Sequence, residues 1–197
     1  MKIIKDAIIL CIITVVAGFG LGAVYDITKA PIEKVNYETQ QNAYKTVFAD
    51  AAEFTDLPDF SSEEATRIVA ESGYGDTIEG CVQAMGSDGS VLGYVITVVS
   101  HDGYGGDIKF SVGIKADGTV NGYSITDISE TAGLGMKAKE EAFYSQFENK
   151  QVEQFAVTKT GSTSDSEIDA ISGATITSSA VTNGVNASIV YFKSLAE

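Results

Sequence analysis

The sequence predicts an α+β domain held by one membrane-spanning helix. Three observations predict it. Ala7 to Tyr25 is a run of 19 residues without a charge, long enough to cross a hydrocarbon core of about 30 Å as a helix. Four runs of β-type residues follow, joined by turns so short that they favour an antiparallel meander. Apolar residues at helical spacing bracket those runs on both sides, which is the α+β pattern.

Each element has its own justification. The apolar run is longer than the core of a usual signal peptide, and no clean Ala-x-Ala cleavage site follows it, so a retained anchor is expected over residues 1–26. Lys2 and Lys5 precede the span, and Lys29 and Lys34 follow it. Charge alone nearly ties. The short leader favours a cytoplasmic N-terminus, with residues from about 26 onward outside the cytoplasm. Small residues (Ala17, Gly18, Gly20, Gly22 and Ala23) crowd the second half of the span, as close helix packing in lipid allows.

Residues 27–76 read as an acidic, helical connection. Within it Glu33 to Ala52 carries Val35, Ala43, Val47 and Ala51 at helical spacing. Ten acids from Glu38 through Glu79, Asp76 among them, face only Lys45 and Arg67, and read as a solvated face. The globular domain then runs over 77–197. Strands are expected at Thr77–Ala84, Ser90–Val99, Ile108–Lys115 and Thr119–Asp127, separated by Ser87-Asp88-Gly89, Asp102 to Gly106 and Ala116-Asp117-Gly118. A helix is expected at Lys137–Phe147, a strand at Val152–Thr158, a surface loop at Gly161–Glu167 and a helix from Ser178 to Leu195, capped by Thr177 or Ser178.

Composition excludes several functions. With 13 Lys and Arg against 27 Asp and Glu the net charge is −14, and no basic patch stands out, so nucleic acid is set aside as a partner. Cys11 lies in the apolar run and Cys81 far outside it, which argues against a bond between them. No cysteine set for haem or an iron–sulfur cluster occurs, and one His with two distant Cys leaves no zinc site. His101 reads as a surface turn residue.

Three small-residue segments carry the chemistry. Ser172-Gly173-Ala174-Thr175 is a turn before a helix. Its backbone N–H groups and the helix dipole form an anion site, and Thr175 offers a hydroxyl there. In Glu130-Thr131-Ala132-Gly133-Leu134-Gly135, two glycines allow close backbone approach and leave Leu134 as one apolar finger for a flat ring. In Gly103-Tyr104-Gly105-Gly106, Tyr104 either stacks on such a ring or closes a hairpin. Taken singly, each segment is equally a capped turn or a loop closing the sheet.

Their order is more specific. G-Y-G-G (Gly103–Gly106), V-G-I-x-x-x-G (Val112–Gly118), E-T-x-G-L-G (Glu130–Gly135), Q-F-x-x-K (Gln146–Lys150) and D-x-x-S-G-A-T-x-T-S (Asp169–Ser178) occur in one sequence. Together they resemble the FMN-binding domain of the G subunit of the Rnf electron transport complex, a domain shared by the C subunit of the sodium-pumping NADH:quinone reductase. The chain departs from the family in two places: Ala132 stands where Pro is usual, and Asp107 where Pro is common.

The resemblance implies FMN joined through a phosphoester to Thr175 by a separate flavin transferase, which reads a motif containing Asp169. It implies that Ser172, Gly173, Ala174, Thr177 and Ser178 surround the attachment point, and that Glu130, Thr131, Gly133, Leu134, Gly135 and Tyr104 lie around the cofactor. It further implies an extracytoplasmic domain on a cell-membrane anchor, without catalytic or metal-binding residues of its own. Its partners would be the other Rnf membrane subunits, including a second covalent-FMN subunit and the iron–sulfur subunits. The complex couples ferredoxin:NAD oxidoreduction to ion transport. Three alternatives are the C subunit of the quinone reductase, a membrane-anchored extracellular binding module without flavin, and a standalone extracellular flavoprotein reductase.

Overall fold

The computed structural model describes residues 2–195. Contacts divide the chain into two units, 1–39 and 40–197. The first is a helical rod belonging to α1 (Lys2–Val47), with Pro31 inside the helix. Its apolar side chains have no protein to bury them. Phe19 is 81% exposed, and Ile8, Ile12, Val15, Leu21 and Val24 are also exposed. The uncharged helical stretch from Ala7 to Tyr25, apolar and exposed, fits a lipid surrounding. By length and composition it is one candidate membrane span among the described residues.

The second unit is built on a five-stranded antiparallel sheet in chain order. Its strands are β1 (Glu53–Asp56), β2 (Thr77–Met85), β3 (Val91–Ser100), β4 (Ile108–Lys115) and β5 (Val120–Ile128). The expected meander matches β2 to β5 within a residue or so at each end. The expected helix to Ala52 stops earlier. α1 ends at Val47, where Asn121 Nδ2 donates to the Val47 carbonyl, and Ala52 N donates to Met85 O at 2.8 Å, drawing the chain into the sheet edge. β1 was not expected, because a four-residue polar edge strand carries no periodic signal.

Both faces of the sheet are covered. On one, Ile78, Cys81, Ile96, Val98, Phe110, Val112 and Ile114 form a core with Val181, Val185 and Ile189 of α4 (Thr175–Ser194) and with Val69 of α2 (Ser62–Glu71). On the other, Tyr44, Val47 and Phe48 from the end of α1 pack on Val82, Ala84 and Val95. Such two-sided burial explains why β3 reads as a continuous apolar run, not an alternating one. Asp76 corrects the acidic-face reading: it is 3% exposed, beside Gly184 of α4 and near Ser100.

After β5 the expected helix at Lys137–Phe147 is three short pieces: a 3₁₀ turn (Gly135–Lys139), α3 (Glu141–Tyr144) and a second 3₁₀ turn (Ser145–Phe147). Phe143, Phe147 and Phe155 stack edge-to-face into the core there, and Tyr123 donates its hydroxyl to Ala138 O at 2.6 Å. The expected strand at Val152–Thr158 shrinks to β6 (Ala156–Thr158), because buried Asn186 of α4 takes both backbone groups of Phe155, at 2.8 and 2.9 Å. β6 pairs in parallel with β7 (Glu167–Asp169), so the loop at 161–167 ends in a strand.

Candidate functional site

Sheet register brings the three small-residue segments together. Ser100 pairs with Ile108, and Ile108 pairs with Ile128. The 101–107 connection and the chain leaving β5 therefore emerge at the same end of the sheet. At Gly105 a side chain would meet Ser129 O at 2.2 Å, so the two segments touch backbone to backbone. β7 then leads through a turn closed by Ala174 N to Ile171 O (2.9 Å) into the start of α4, which reaches the same end.

Between them lies a cavity of about 590 Å³ lined by Tyr104, Glu130, Thr131, Leu134, Gly135 and Gly173 to Thr177. That volume suits a cofactor-sized ligand. Its rim is apolar. Among the described residues outside α1, the exposed large hydrophobic ones are Val91, Tyr104, Leu134 and Ile176, and three of these four line this cavity. The tip of Leu134 packs toward Gly173, as an apolar finger between two glycines should. Ile176 was not among the expected residues. It lies inside a motif read for its hydroxyls, and its exposure at a helix start is the signal that sequence reading passed over.

The start of α4 differs from expectation in a way that matters chemically. The helix begins at Thr175, not Ser178. Its N-cap is Ala174, which offers no side-chain acceptor. Ser178 is fully buried and turned inward: it accepts from Ile171 N and donates to Ala174 O, each at 2.9 Å. Thr177 is 1% exposed. Neither caps the helix, and the N–H groups of Thr175, Ile176 and Thr177 have no acceptor among the hydrogen bonds. A 20-residue helix with an uncapped first turn presents three donors and its positive dipole end to whatever occupies the cavity. Thr175, half-buried in that turn, is one of the residues lining the cavity.

Glu130 is the one charged residue lining the cavity. It is 8% exposed, and its Oε1 accepts from Tyr104 N at 2.7 Å and Gly105 N at 3.2 Å. Lower in the same loop, His101 Nδ1 meets Asp107 Oδ1 at 3.0 Å and Nε2 meets Thr77 Oγ1 at 3.0 Å. Ser172, Gly133 and Ser178 lie in the same segments but outside the lining. Asp169 is exposed and also outside it. Its backbone is held by the Gln146 amide (2.7 and 3.3 Å), and its carboxylate accepts from Ser162 Oγ at 3.1 Å.

A family model described as an FMN-binding domain matches residues 103–190, a range that opens at the Tyr104 loop and closes in α4. Over 99% of its length the chain is 35% identical to the G subunit of the sodium-translocating ferredoxin:NAD⁺ oxidoreductase complex of Acetobacterium woodii, covering 94% of that protein. The chain belongs to this G-subunit family. A second relative, the G subunit of the proton-translocating ferredoxin:NAD⁺ oxidoreductase complex of Clostridium ljungdahlii, is 30% identical over 95% of this chain and 88% of its own. NqrC of Shewanella oneidensis shares the fold at a TM-score of 0.53 and 17% identity, over 78% of this chain and 88% of its own. In this member of the G-subunit family the cavity falls wholly inside the matched domain, with both walls supplied by its motifs.

Proposed function

We propose that this chain is the electron-carrier subunit of a membrane-bound, ion-translocating ferredoxin:NAD oxidoreductase (Rnf) complex, with FMN joined by a phosphoester to Thr175. The observation that carries the reading is the uncapped start of α4. A phosphate on Thr175 Oγ1 would lie against the unpaired N–H groups of the first turn, where the helix dipole favours negative charge. The residues present fit the group: Tyr104, Leu134 and Ile176 give the ring an apolar rim. Thr175 is the half-buried hydroxyl residue of that first turn, and it lines the cavity. Thr177, two residues on, is 1% exposed and closed to a modifying enzyme.

FMN supplies reversible electron uptake. The protein's part is retention and placement. Ala174, Thr175 and the first turn of α4 hold the phosphate end. Glu130, Thr131, Leu134 and Gly135 shape the wall beside the ring. Outside the cytoplasm a lost cofactor would not be replaced, and the ester removes that loss. Relaying electrons needs no general base or nucleophile, and the cavity lining contains neither His nor Cys.

In this reading the anchor crosses the cell membrane with its N-terminus inside, a flavin transferase recognises the motif from Asp169 to Thr175, and the partners are the second covalent-FMN subunit and the iron–sulfur subunits. The relatives' complexes are named for different ions, so similarity to them carries no statement about the ion. Against the C subunit of a quinone reductase, the whole-chain identity lies with G-subunit proteins, while the NqrC likeness is one of fold. The test is in-gel flavin fluorescence after denaturing electrophoresis, with a flavin transferase co-expressed. The wild-type band should fluoresce and Thr175→Ala should be dark. A dark wild-type band, with the transferase active on a control substrate, would overturn the reading.

A further inference from the structure

We infer that Glu130 is a positioning residue that clamps the tip of the Tyr104 loop and so sets where Tyr104 stands at the cavity wall. The inference rests on the flavin reading for what the wall touches, but the clamp itself is a property of the chain alone.

The geometry is specific. The loop 103–106 carries three glycines in four residues, and nothing in its sequence makes it rigid. Tyr104 is 72% exposed, so packing does not hold it. What holds it is Glu130 Oε1, which accepts both consecutive N–H groups at the tip, from Tyr104 at 2.7 Å and Gly105 at 3.2 Å. Two backbone donors converging on one carboxylate oxygen are charge-assisted bonds, stronger than their neutral counterparts. The other oxygen turns to the opposite wall: a Cβ built on Gly135 would lie 2.6 Å from Glu130 Oε2 and 2.6 Å from Thr177 Oγ1. One buried side chain thus bonds the loop and lies packed beside Gly135, where the first turn of α4 also approaches. The His101–Asp107–Thr77 contacts fix the base of the loop; at its tip Gly105 lies against the Ser129 backbone, and Glu130 supplies the hydrogen bonds.

The role follows from this occupancy. Glu130 Oε1 is spent on the loop amides, so its contribution is to set where Tyr104 stands relative to the Leu134 and Ile176 side. A tyrosine held beside a flavin ring quenches its fluorescence by contact, and releasing the loop should restore emission. Glu130→Gln keeps a carbonyl oxygen of the same reach and should keep most of the clamp. Glu130→Ala removes it. Gly105→Ala attacks the same clamp from the other side, because its Cβ would strike Ser129 O at 2.2 Å and lift the tip.

The experiment uses the full-length protein in detergent, with and without transferase co-expression. Without flavin, hydrogen exchange of the peptide containing Tyr104 and Gly105 should accelerate about tenfold or more in Glu130→Ala and Gly105→Ala. It should change far less in Glu130→Gln. With flavin attached, native emission should rise severalfold in Glu130→Ala and Gly105→Ala, and Glu130→Ala should add nothing in a Tyr104→Ala background. Unchanged exchange in both clamp variants would overturn the inference, as would emission effects of Glu130→Ala and Tyr104→Ala that simply multiply. If Glu130→Ala unfolds, Gly105→Ala and Glu130→Gln decide the matter. Absent flavin in the wild type would fail the functional reading alone, since the exchange arm does not depend on it.

Discussion

Gly135→Ala tests the packing at the centre of the site. Gly135 is buried where Glu130 and Thr177 meet. An added Cβ would lie 2.6 Å from Glu130 Oε2, 2.6 Å from Thr177 Oγ1 and 2.8 Å from Glu130 Cβ, each more than half an ångström inside van der Waals contact. None of these neighbours yields freely. Thr177 is 1% exposed on a packed helix, and Glu130 is tied to the Tyr104 loop. Overpacking of this kind costs about 1–3 kcal/mol. In a domain of this size that is a fall in Tm of roughly 3–10 °C. Gly133→Ala is the control: its Cβ meets nothing within 4 Å, and its penalty is backbone strain at φ 76°. The assay is thermal unfolding of the flavin-free protein, alone and combined with Glu130→Ala. Removing the Glu130 side chain should relieve part of the Gly135→Ala cost and leave the Gly133→Ala cost unchanged. A Gly135→Ala variant within about 0.5 kcal/mol of wild type, or full additivity with Glu130→Ala, would refute the reasoning.

Two further outcomes follow from the start of α4 and from Asp76. Ala174→Ser supplies the missing cap, so it should stabilise the flavin-free protein by about 0.5–1 kcal/mol while lowering the yield of covalent flavin, because its oxygen competes for the same N–H groups. Melting and in-gel fluorescence measure the two effects. Asp76 Oδ1 and the neighbouring Ser100 Oγ are buried without hydrogen-bond partners, and burial raises the Asp76 carboxyl above its ordinary range, with Asp102 adding to the effect. The native state therefore binds this proton more tightly than the unfolded chain. This group's contribution is most favourable below the ordinary carboxylate range and is lost as pH rises through the raised value. Asp76→Asn should be more stable than wild type at pH 7, and the advantage should shrink as the pH is lowered through that window, as followed by denaturant unfolding.

Much of the fold was legible in the sequence, for physical reasons. The four central strands announce themselves because β-type runs alternate with turns that need Gly and Asp, and such turns leave an antiparallel meander little freedom. The aromatic segment after β5 misled because Phe143 and Phe147 sit at helical spacing, yet each is fixed by edge-to-face contacts that three short turns satisfy better than one helix. α2 had a readable start that was passed over: Ser61 accepts from Glu64 N at 3.3 Å, the Ser-x-x-Glu signature. Asp76 was hidden among acids because burial depends on α4 packing beside it, which no local pattern encodes. At the site, the three motifs were each visible, but their meeting depends on the Ser100–Ile108–Ile128 register. The uncapped helix start was misplaced for an instructive reason. Sequence rules assign a hydroxyl cap to Thr177 or Ser178, whereas here the fold buries both and leaves the first-turn donors free. A broken local rule of this kind is expected at a binding site.

The central claim is that Thr175, at an uncapped helix start, carries the cofactor. Peptide mapping by mass spectrometry of the full-length protein, purified after co-expression with a flavin transferase, tests it most directly. The account predicts the mass of one FMN less one water on Thr175, retained in Thr177→Ala and absent from Thr175→Ala. An FMN mass on Ser172 or Thr177, or a Thr175 peptide that stays unmodified beside a flavinylated control protein, would contradict it.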